Sequence, residues 1–584
     1  MDSYINKAID LKLYNNRYWH LLLHMDNNIS EIDNANFFFS KDGAINPKSE
    51  LISTLKAFYS DINSSDENSS SICRFPARYY WLKEKLDFPS SSLECKEYQK
   101  ILKRVDPQSV TLVFPSAHIN SPASMFGHTF LRINSSYNSR LLSYAINYAA
   151  NADTKKENGV VFAIKGLIGG YYGLYSLLPY YDKLKEYRDT EQRDIWEYDL
   201  NLTPKETLKM FRHIWELKDT NSFYYFFTEN CSYNMLWLLE IARDKLYLRD
   251  KFTYQVIPLE TVYIIKNAGL IKKNSYRPSK RAVLLKYEKL IDKSYIDIPK
   301  KLNSKSKIYL FLDNQNISLE QKKYILEASV ELLEYRYIKG QIKKDKYLTL
   351  FHQLTMARAT LGQSSPISIK TPENPLKGHR AVRLEIGYKN KNKDSMALLG
   401  IRPAYHSIDD PQIGFMRGTQ IEFLDILLSK SKDKFRLEKG TILSIISISQ
   451  RDDFFKPLSW RTKFEFNRYN PNGKLEFLST VGAGYSWGNN FGYLYTLVDP
   501  FYYSNNDYGI DSSIGINIDK FNLFNINMEF ARKFYNNSNT QNIMNISTGV
   551  NISNNKQLLF KYNYNSNIKN KTQDSSTIIF KYFF

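Results

Sequence analysis

Thr228-Glu229-Asn230-Cys231-Ser232-Tyr233-Asn234 places a cysteine where an aromatic, strand-like run (Phe223 to Phe227) gives way to helical spacing (Met235, Leu236, Leu238, Leu239, Ala242). A thiol at the first turn of a helix meets unpaired backbone N–H groups and the positive end of the helix dipole. Both favour the thiolate, the form that attacks carbonyl carbon. About a hundred residues upstream, Phe126-Gly127-His128-Thr129-Phe130-Leu131-Arg132-Ile133 alternates like a strand. That spacing puts Phe126, His128, Phe130 and Arg132 on one face and Leu131 and Ile133 on the other. A histidine held on a strand is the base such a cysteine needs. A lone cysteine and a lone histidine are also ordinary core residues, and spacing alone does not join them.

Three segments carry a family likeness: Ser121-Pro122-Ala123-Ser124-Met125-Phe126-Gly127-His128-Thr129-Phe130-Leu131-Arg132-Ile133, Glu191-Gln192-Arg193-Asp194-Ile195-Trp196-Glu197-Tyr198 and Glu229-Asn230-Cys231-Ser232. Together they resemble the Lnb-type lipoprotein N-acyltransferase domain, which is similar to permuted papain-like (NlpC-type) enzymes in which His precedes Cys. The likeness spans roughly residues 105 to 245. It implies Cys231 as nucleophile and His128 as base. His118 is the rival base, lying in a loop with Asn120, Ser121 and Ser124. Asn147, on the strand-like run Leu141 to Asn147, is the candidate to orient the imidazole. Ser124, Asn230, Ser232, His118 and Arg132 are the candidates for substrate or oxyanion support, with backbone N–H groups near Ser232 as the oxyanion donors.

Cysteine usage fits an exported protein. Of three cysteines, Cys73 and Cys95 flank a segment of about 20 residues, and a disulfide there would stabilise by roughly 3 kcal/mol. Cys231 is then the odd thiol, as a nucleophile should be. The opposing reading is three reduced cysteines in a cytosolic protein. The chain opens Met1-Asp2-Ser3-Tyr4 without a basic segment and apolar core, so export implies a leader removed ahead of it.

After His379-Arg380 the period changes to two and stays there to the end. About 12 strand-like segments follow, near membrane-spanning length, separated by turns such as Asn470-Pro471-Asn472-Gly473 and Asn554-Asn555. The terminal Thr577-Ile578-Ile579-Phe580-Lys581-Tyr582-Phe583-Phe584 resembles the closing strand of bacterial outer-membrane barrels. The 44 tyrosines and 35 phenylalanines agree with membrane interfaces. A soluble β-sandwich is the competing architecture, but it leaves the regular polar positions Asn517, Asn525, Asn527 and Glu529 unexplained.

The chain therefore reads as α+β: an N-terminal helical domain (1–104), a permuted papain-like catalytic domain (105–245), a helical connector (246–378) and a C-terminal antiparallel β-barrel of about 12 strands (379–584). Val160 to Tyr175, apolar and rich in glycine, reads either as a groove for an acyl chain or as a buried hairpin. His20 and His24 have the i, i+4 spacing of helical metal ligands, but no partner motif follows, and packing or surface roles are favoured. No metal or organic cofactor is implied.

The net charge of +20 points to an anionic partner, with much of the lysine between Lys251 and Lys346. Membrane lipid, lipopolysaccharide or lipoprotein fit; nucleic acid does not, since no nucleic-acid fold motif accompanies the charge. The functional expectation is an outer-membrane-anchored cysteine acyltransferase or hydrolase with a periplasmic catalytic domain. A peptidoglycan amidase or endopeptidase, and a channel or assembly protein with a vestigial Cys/His pair, are the alternatives.

Overall fold

Local signals start the helices where the sequence places them. Asn46 and Asn230 accept backbone N–H groups at helix starts, and Thr203 with Glu206 forms a reciprocal capping box. The computed structural model describes residues 1–116, 126–137, 139–152, 165–166, 168–391, 394–432, 434–468, 474–489, 491–519, 523–566 and 572–584. His118, Asn120, Ser121 and Ser124 lie outside the described residues, as does most of Val160 to Leu167. The chain divides into two compact units, Met1–Ser279 and Lys280–Phe584.

In the first unit, helices α1 (Asp2–Asp10), α2 (Arg17–Leu22), α3 (Pro47–Asp61), α4 (Pro76–Leu86) and α5 (Lys96–Val105) precede a mixed region. There β1 (Ser109–Pro115), β2 (Phe130–Asn134), β3 (Tyr144–Ala150), β4 (Tyr171–Pro179), α6 (Tyr180–Leu184), β5 (Ile195–Leu200), α7 (Pro204–Glu216), β6 (Asn221–Tyr224), α8 (Cys231–Ala242), α9 (Pro258–Asn267) and β7 (Ile271–Arg277) follow in order. The strands form one antiparallel sheet in the order β6-β4-β3-β2-β1-β5-β7. Every residue of α8 except Tyr233 is buried, so this is a core helix, and its buried Glu240 is paired with Arg17 and Arg249. A disulfide joins Cys73 to Cys95 and leaves Cys231 free.

Residues 246–279 differ from the expected helical connector. They supply α9 and β7, and β7 pairs with β5 over Ile195↔Arg277 to Leu200↔Ile271. An edge strand needs only one apolar flank, which is why Lys272, Lys273 and Asn274 gave no strand signal.

The second unit opens with α10 (Lys280–Leu290), α11 (Lys305–Asp313), α12 (Leu319–Ile338) and α13 (Lys344–Ala359), packed around Phe311, Ile325, Leu326, Ala328, Leu350 and Leu354. Twelve strands follow: β8 (Arg383–Lys391), β9 (Asp394–Arg402), β10 (Thr419–Ser431), β11 (Lys434–Ser447), β12 (Ser459–Asn467), β13 (Glu476–Gly488), β14 (Gly492–Tyr503), β15 (Tyr508–Ile518), β16 (Phe524–Tyr535), β17 (Thr540–Ser553), β18 (Lys556–Ser566) and β19 (Thr572–Phe583). Each pairs antiparallel with the next, except that the short arm Ala404–His406 follows β9. β19 pairs with β8, and β9 with β10, so the barrel is closed.

The polarity of the barrel wall is the reverse of a soluble core. On β19, Thr577 and Lys581 point inward, whereas Ile578, Phe580 and Tyr582 are 48%, 39% and 41% exposed. On β14, Asp499 is buried while Leu494, Val498 and Tyr502 face out. An apolar exterior around a charged interior is stable only when hydrocarbon surrounds it, so the strands span a membrane. This excludes the β-sandwich.

Candidate active site

Cys231 sits at the first position of α8, and the turn before it is clamped from both ends of one side chain. Asn230 Oδ1 accepts the N–H groups of Ser232 (3.0 Å) and Tyr233 (3.3 Å), while its Nδ2 donates to the carbonyls of Phe226 (2.9 Å) and Val256 (2.7 Å). Asn230 is thus an N-cap that fixes the nucleophile's turn. Ser232 tethers the helix to the strand ahead of it, its hydroxyl accepting from Thr129 Oγ1 at 2.9 Å. The Ser232 hydroxyl also lies 3.7 Å from Cys231 Sγ.

His128 is brought to Cys231. It precedes β2, which begins only at Phe130, so the imidazole stands at the strand's mouth and not within its alternation. His128 Nε2 lies 2.9 Å from Asn147 Oδ1 on β3. An amide oxygen only accepts, so Nε2 carries the hydrogen and Nδ1 is left for the thiol. Burial alone would push the Cys231 thiol up. The facing His128, the Thr129 N–H and the Ser232 hydroxyl outweigh it and bring the thiol down to about 7. The side chain is 3% exposed, so the thiolate is held in a dry place by specific partners.

Tyr224 on β6 is a member of this group that the sequence reading missed. Cys231 N–H donates to its hydroxyl at 3.2 Å. Burial first, and then the charge on Cys231, holds the Tyr224 hydroxyl well above its ordinary range, so it keeps its proton. The backbone N–H groups near Ser232, the expected oxyanion donors, are engaged within the site: those of Ser232 and Tyr233 donate to Asn230 Oδ1, and that of Cys231 donates to the Tyr224 hydroxyl.

Arg132 has a different place. Its guanidinium pairs with Glu197 Oε1 at 2.9 Å and donates to Asn134 and Thr111, all away from the thiol. Glu197 also receives Arg140 (2.9 Å), Arg277 (2.5 Å) and the Tyr180 hydroxyl (2.6 Å). Burial opposes its charge, but Arg132, Tyr180 and Arg277 prevail and draw the carboxyl down to about 2. The motif residues Arg132 and Glu197 therefore knit β2, β5 and β7 together.

Arg193, from the same segment, is buried and holds the carbonyls of Pro115 (2.8 Å) and Ser116 (2.5 Å) at the end of β1. Among the helices, His24 is buried and bonded Nε2 to Nε2 with His213 (3.0 Å), whose Nδ1 meets Glu216 (2.9 Å), while His20 meets the Tyr14 carbonyl. Both histidines are packing residues.

The rim of the site has two characters. Tyr172 and Phe223 stack with ring centres 5.0 Å apart and stand exposed on the sheet edge. On the helix side, Glu229 is two residues before Cys231, and burial together with Glu31, Asp33 and Asp26 pushes its carboxyl up to about 7.

Residues 97–268 match the Lnb N-terminal periplasmic domain. The chain carries this Lnb-type periplasmic domain together with an outer-membrane β-barrel. Three further segments, 11–85, 274–369 and 372–583, match domains of unknown function (DUF7843, DUF7842 and DUF7840). No curated protein matches the chain.

Among solved structures, the barrel is similar to the KdgM porin (10% identity, 35% of this chain and 99% of that one, TM-score 0.24). It is also similar to an anion-selective porin from Comamonas acidovorans (10%, 35% and 98%, 0.21) and an outer membrane channel from Pseudomonas putida F1 (8%, 38% and 100%, 0.25). Likeness at this level carries no information on cargo.

Proposed function

We propose that the Lnb-type domain is a cysteine acyltransferase or hydrolase that acts on acyl esters of membrane lipid or lipoprotein through a Cys231 thioester. The observation that carries the reading is the line Cys231, His128, Asn147, with the thiol held near neutrality at a helix start. It is the arrangement expected of a permuted papain-like site. His128 Nδ1 takes the thiol proton, and Sγ attacks the ester carbonyl carbon. The developing oxyanion is met by the Tyr224 hydroxyl, which keeps its proton and whose oxygen accepts from the Cys231 N–H. The tetrahedral adduct collapses to the thioester as the alkoxide leaves with the proton from His128. An amine, a hydroxyl or water then gives a proton back to His128, attacks the thioester carbon and releases the thiolate.

The exposed aromatic pair Tyr172 and Phe223, strand partners of which Phe223 is next to Tyr224 in sequence, supports an apolar acyl substrate. The test is intact-protein mass spectrometry of detergent-purified protein after incubation with bacterial lipid extract. An acyl-sized adduct, labile to hydroxylamine and absent from Cys231→Ala, is expected. Identical spectra for the two proteins, with Cys231 inert to thiol reagents near pH 7, would refute the thioester.

A further inference from the structure

The connection that follows the short arm Ala404–His406 does not run across the barrel's mouth. It turns inward. Ser407 Oγ donates to Gln420 Oε1 on β10 at 3.0 Å, and Gln412 Nε2 closes the turn on the carbonyls of Ser407, Ile408 and Asp410. Asp409 Oδ1 accepts from Asn527 on β16 (2.8 Å) and Ser547 on β17 (2.7 Å), and its Oδ2 pairs with Lys561 on β18 (2.7 Å). Asp410 pairs with Arg402 on β9 (2.6 Å), Lys581 on β19 (2.7 Å) and Arg383 on β8 (3.3 Å). Ile408 packs on the opposite wall against Ile446, Tyr493, Tyr495 and Leu497.

We infer that the barrel is a sealed membrane anchor and not a pore, closed by its own segment Ser407–Gln412. The seal spans the full width. β10 and β16 lie six places apart around the ring of twelve strands, hence on opposite sides, and the segment bonds to both. The wall also closes on it lengthwise: Lys561 faces Thr577, four residues along β19 from Lys581, so lysines rooted about 13 Å apart along the wall converge on the two aspartates.

A second bridge fills the far arc. Arg461 of β12 holds Asp499 of β14 (2.9 Å), Ser513 of β15 (3.1 Å) and Glu529 of β16 (2.7 Å). What remains is a cavity of about 370 Å³ whose lining carries eight basic and eight acidic side chains. A conducting filter presents a ring of one sign; this lumen pairs its charges with each other.

The same network accounts for His379, His406 and Asp410, which gather closely enough to hold a metal ion. Asp410 is already committed to two guanidinium groups and an ammonium, whose charge repels a cation there. Its carboxylate belongs to the plug, and the two histidines bond to each other, Nε2 of His379 lying 2.9 Å from Nδ1 of His406.

The test is conductance in planar bilayers of the full chain, with folding checked by heat-modifiable gel mobility. Wild type is expected to insert without conductance steps. Asp409→Asn with Asp410→Asn leaves Lys561, Lys581, Arg402 and Arg383 short of two anions, so discrete anion-selective steps are expected. Should that variant not fold, replacing each of residues 407–412 by Gly removes the plug's side chains at constant length and must give the same steps. Steps in the wild type, or silence from a folded variant without the plug, would overturn the inference. None of these residues lies in the unit that carries Cys231, so the outcome does not bear on acyl transfer.

Discussion

His128→Ala tests the central electrostatic claim. In the native site the thiol is opposed by burial and rescued chiefly by His128, with Thr129 N–H and Ser232 contributing less, and it titrates at about 7 against an ordinary 9.0. Half of Cys231 is therefore thiolate at pH 7. Removing the imidazole leaves burial to dominate, so the thiol returns to 9.0 or above and the thiolate falls to about 1% or less. The rate of Cys231 alkylation by iodoacetamide at pH 7 should drop at least about 50-fold, with the midpoint of the rate–pH profile moving up by about two units.

The assay is mass spectrometry of the intact chain over pH 5 to 10, and the disulfide-bonded Cys73 and Cys95 supply no competing thiol. Alkylation forms no tetrahedral oxyanion, so the measurement reads the thiolate and not the rest of catalysis. A midpoint that stays near 7 in His128→Ala would show that the helix start, and not the imidazole, sets the thiol, and the Cys–His pairing would fall.

Asn147→Ala frees the imidazole to rotate while leaving the thiol's own partners, and should lower acyl transfer by about 10- to 100-fold with a smaller effect on alkylation, a split seen by running both assays on one preparation. Serine at Cys73 and Cys95 removes a crosslink of sequence separation 22, and thermal unfolding should report a loss of roughly 3 kcal/mol. Glu229 has a raised carboxyl pKa in the fold, so its favourable contribution is complete below the unfolded value of 4.5 and is lost as pH rises through about 7. Glu229→Gln should match wild type at pH 4 and exceed it by about 1–2 kcal/mol at pH 8, a figure reduced for solvent screening because the group is half-buried. Equal melting temperatures at pH 8 would refute the burial and acidic neighbours that raise the Glu229 carboxyl.

Much of this was legible in the sequence because it rests on local signals. The switch from aromatic alternation to helical spacing across Asn230-Cys231 is a cap and a period change, and both are properties of a few adjacent residues. The same holds for the barrel, whose twelve strands appear as twelve stretches of period two. What was not legible is who meets whom. Arg132 looked like a site residue because it shares a motif with His128, yet its charge is consumed by Glu197, whose own motif lies about sixty residues later in the chain.

Tyr224 escaped notice as one aromatic in a run of five from Phe223 to Phe227; only the pairing of β6 with β4 selects it to face Cys231. The plug was the hardest to see. Asp409-Asp410-Pro411 reads as an exposed turn between strands, since two adjacent carboxylates ahead of a proline belong in water by every local rule. Asp410 is buried and Asp409 half-buried because Lys561, Lys581, Arg402 and Arg383, contributed by four strands, converge on them, and each of those cations in turn looks misplaced on a strand of a membrane barrel until its partner is known. A charge that seems wrong in one segment and an opposite charge that seems wrong in another are the sequence trace of a contact between them.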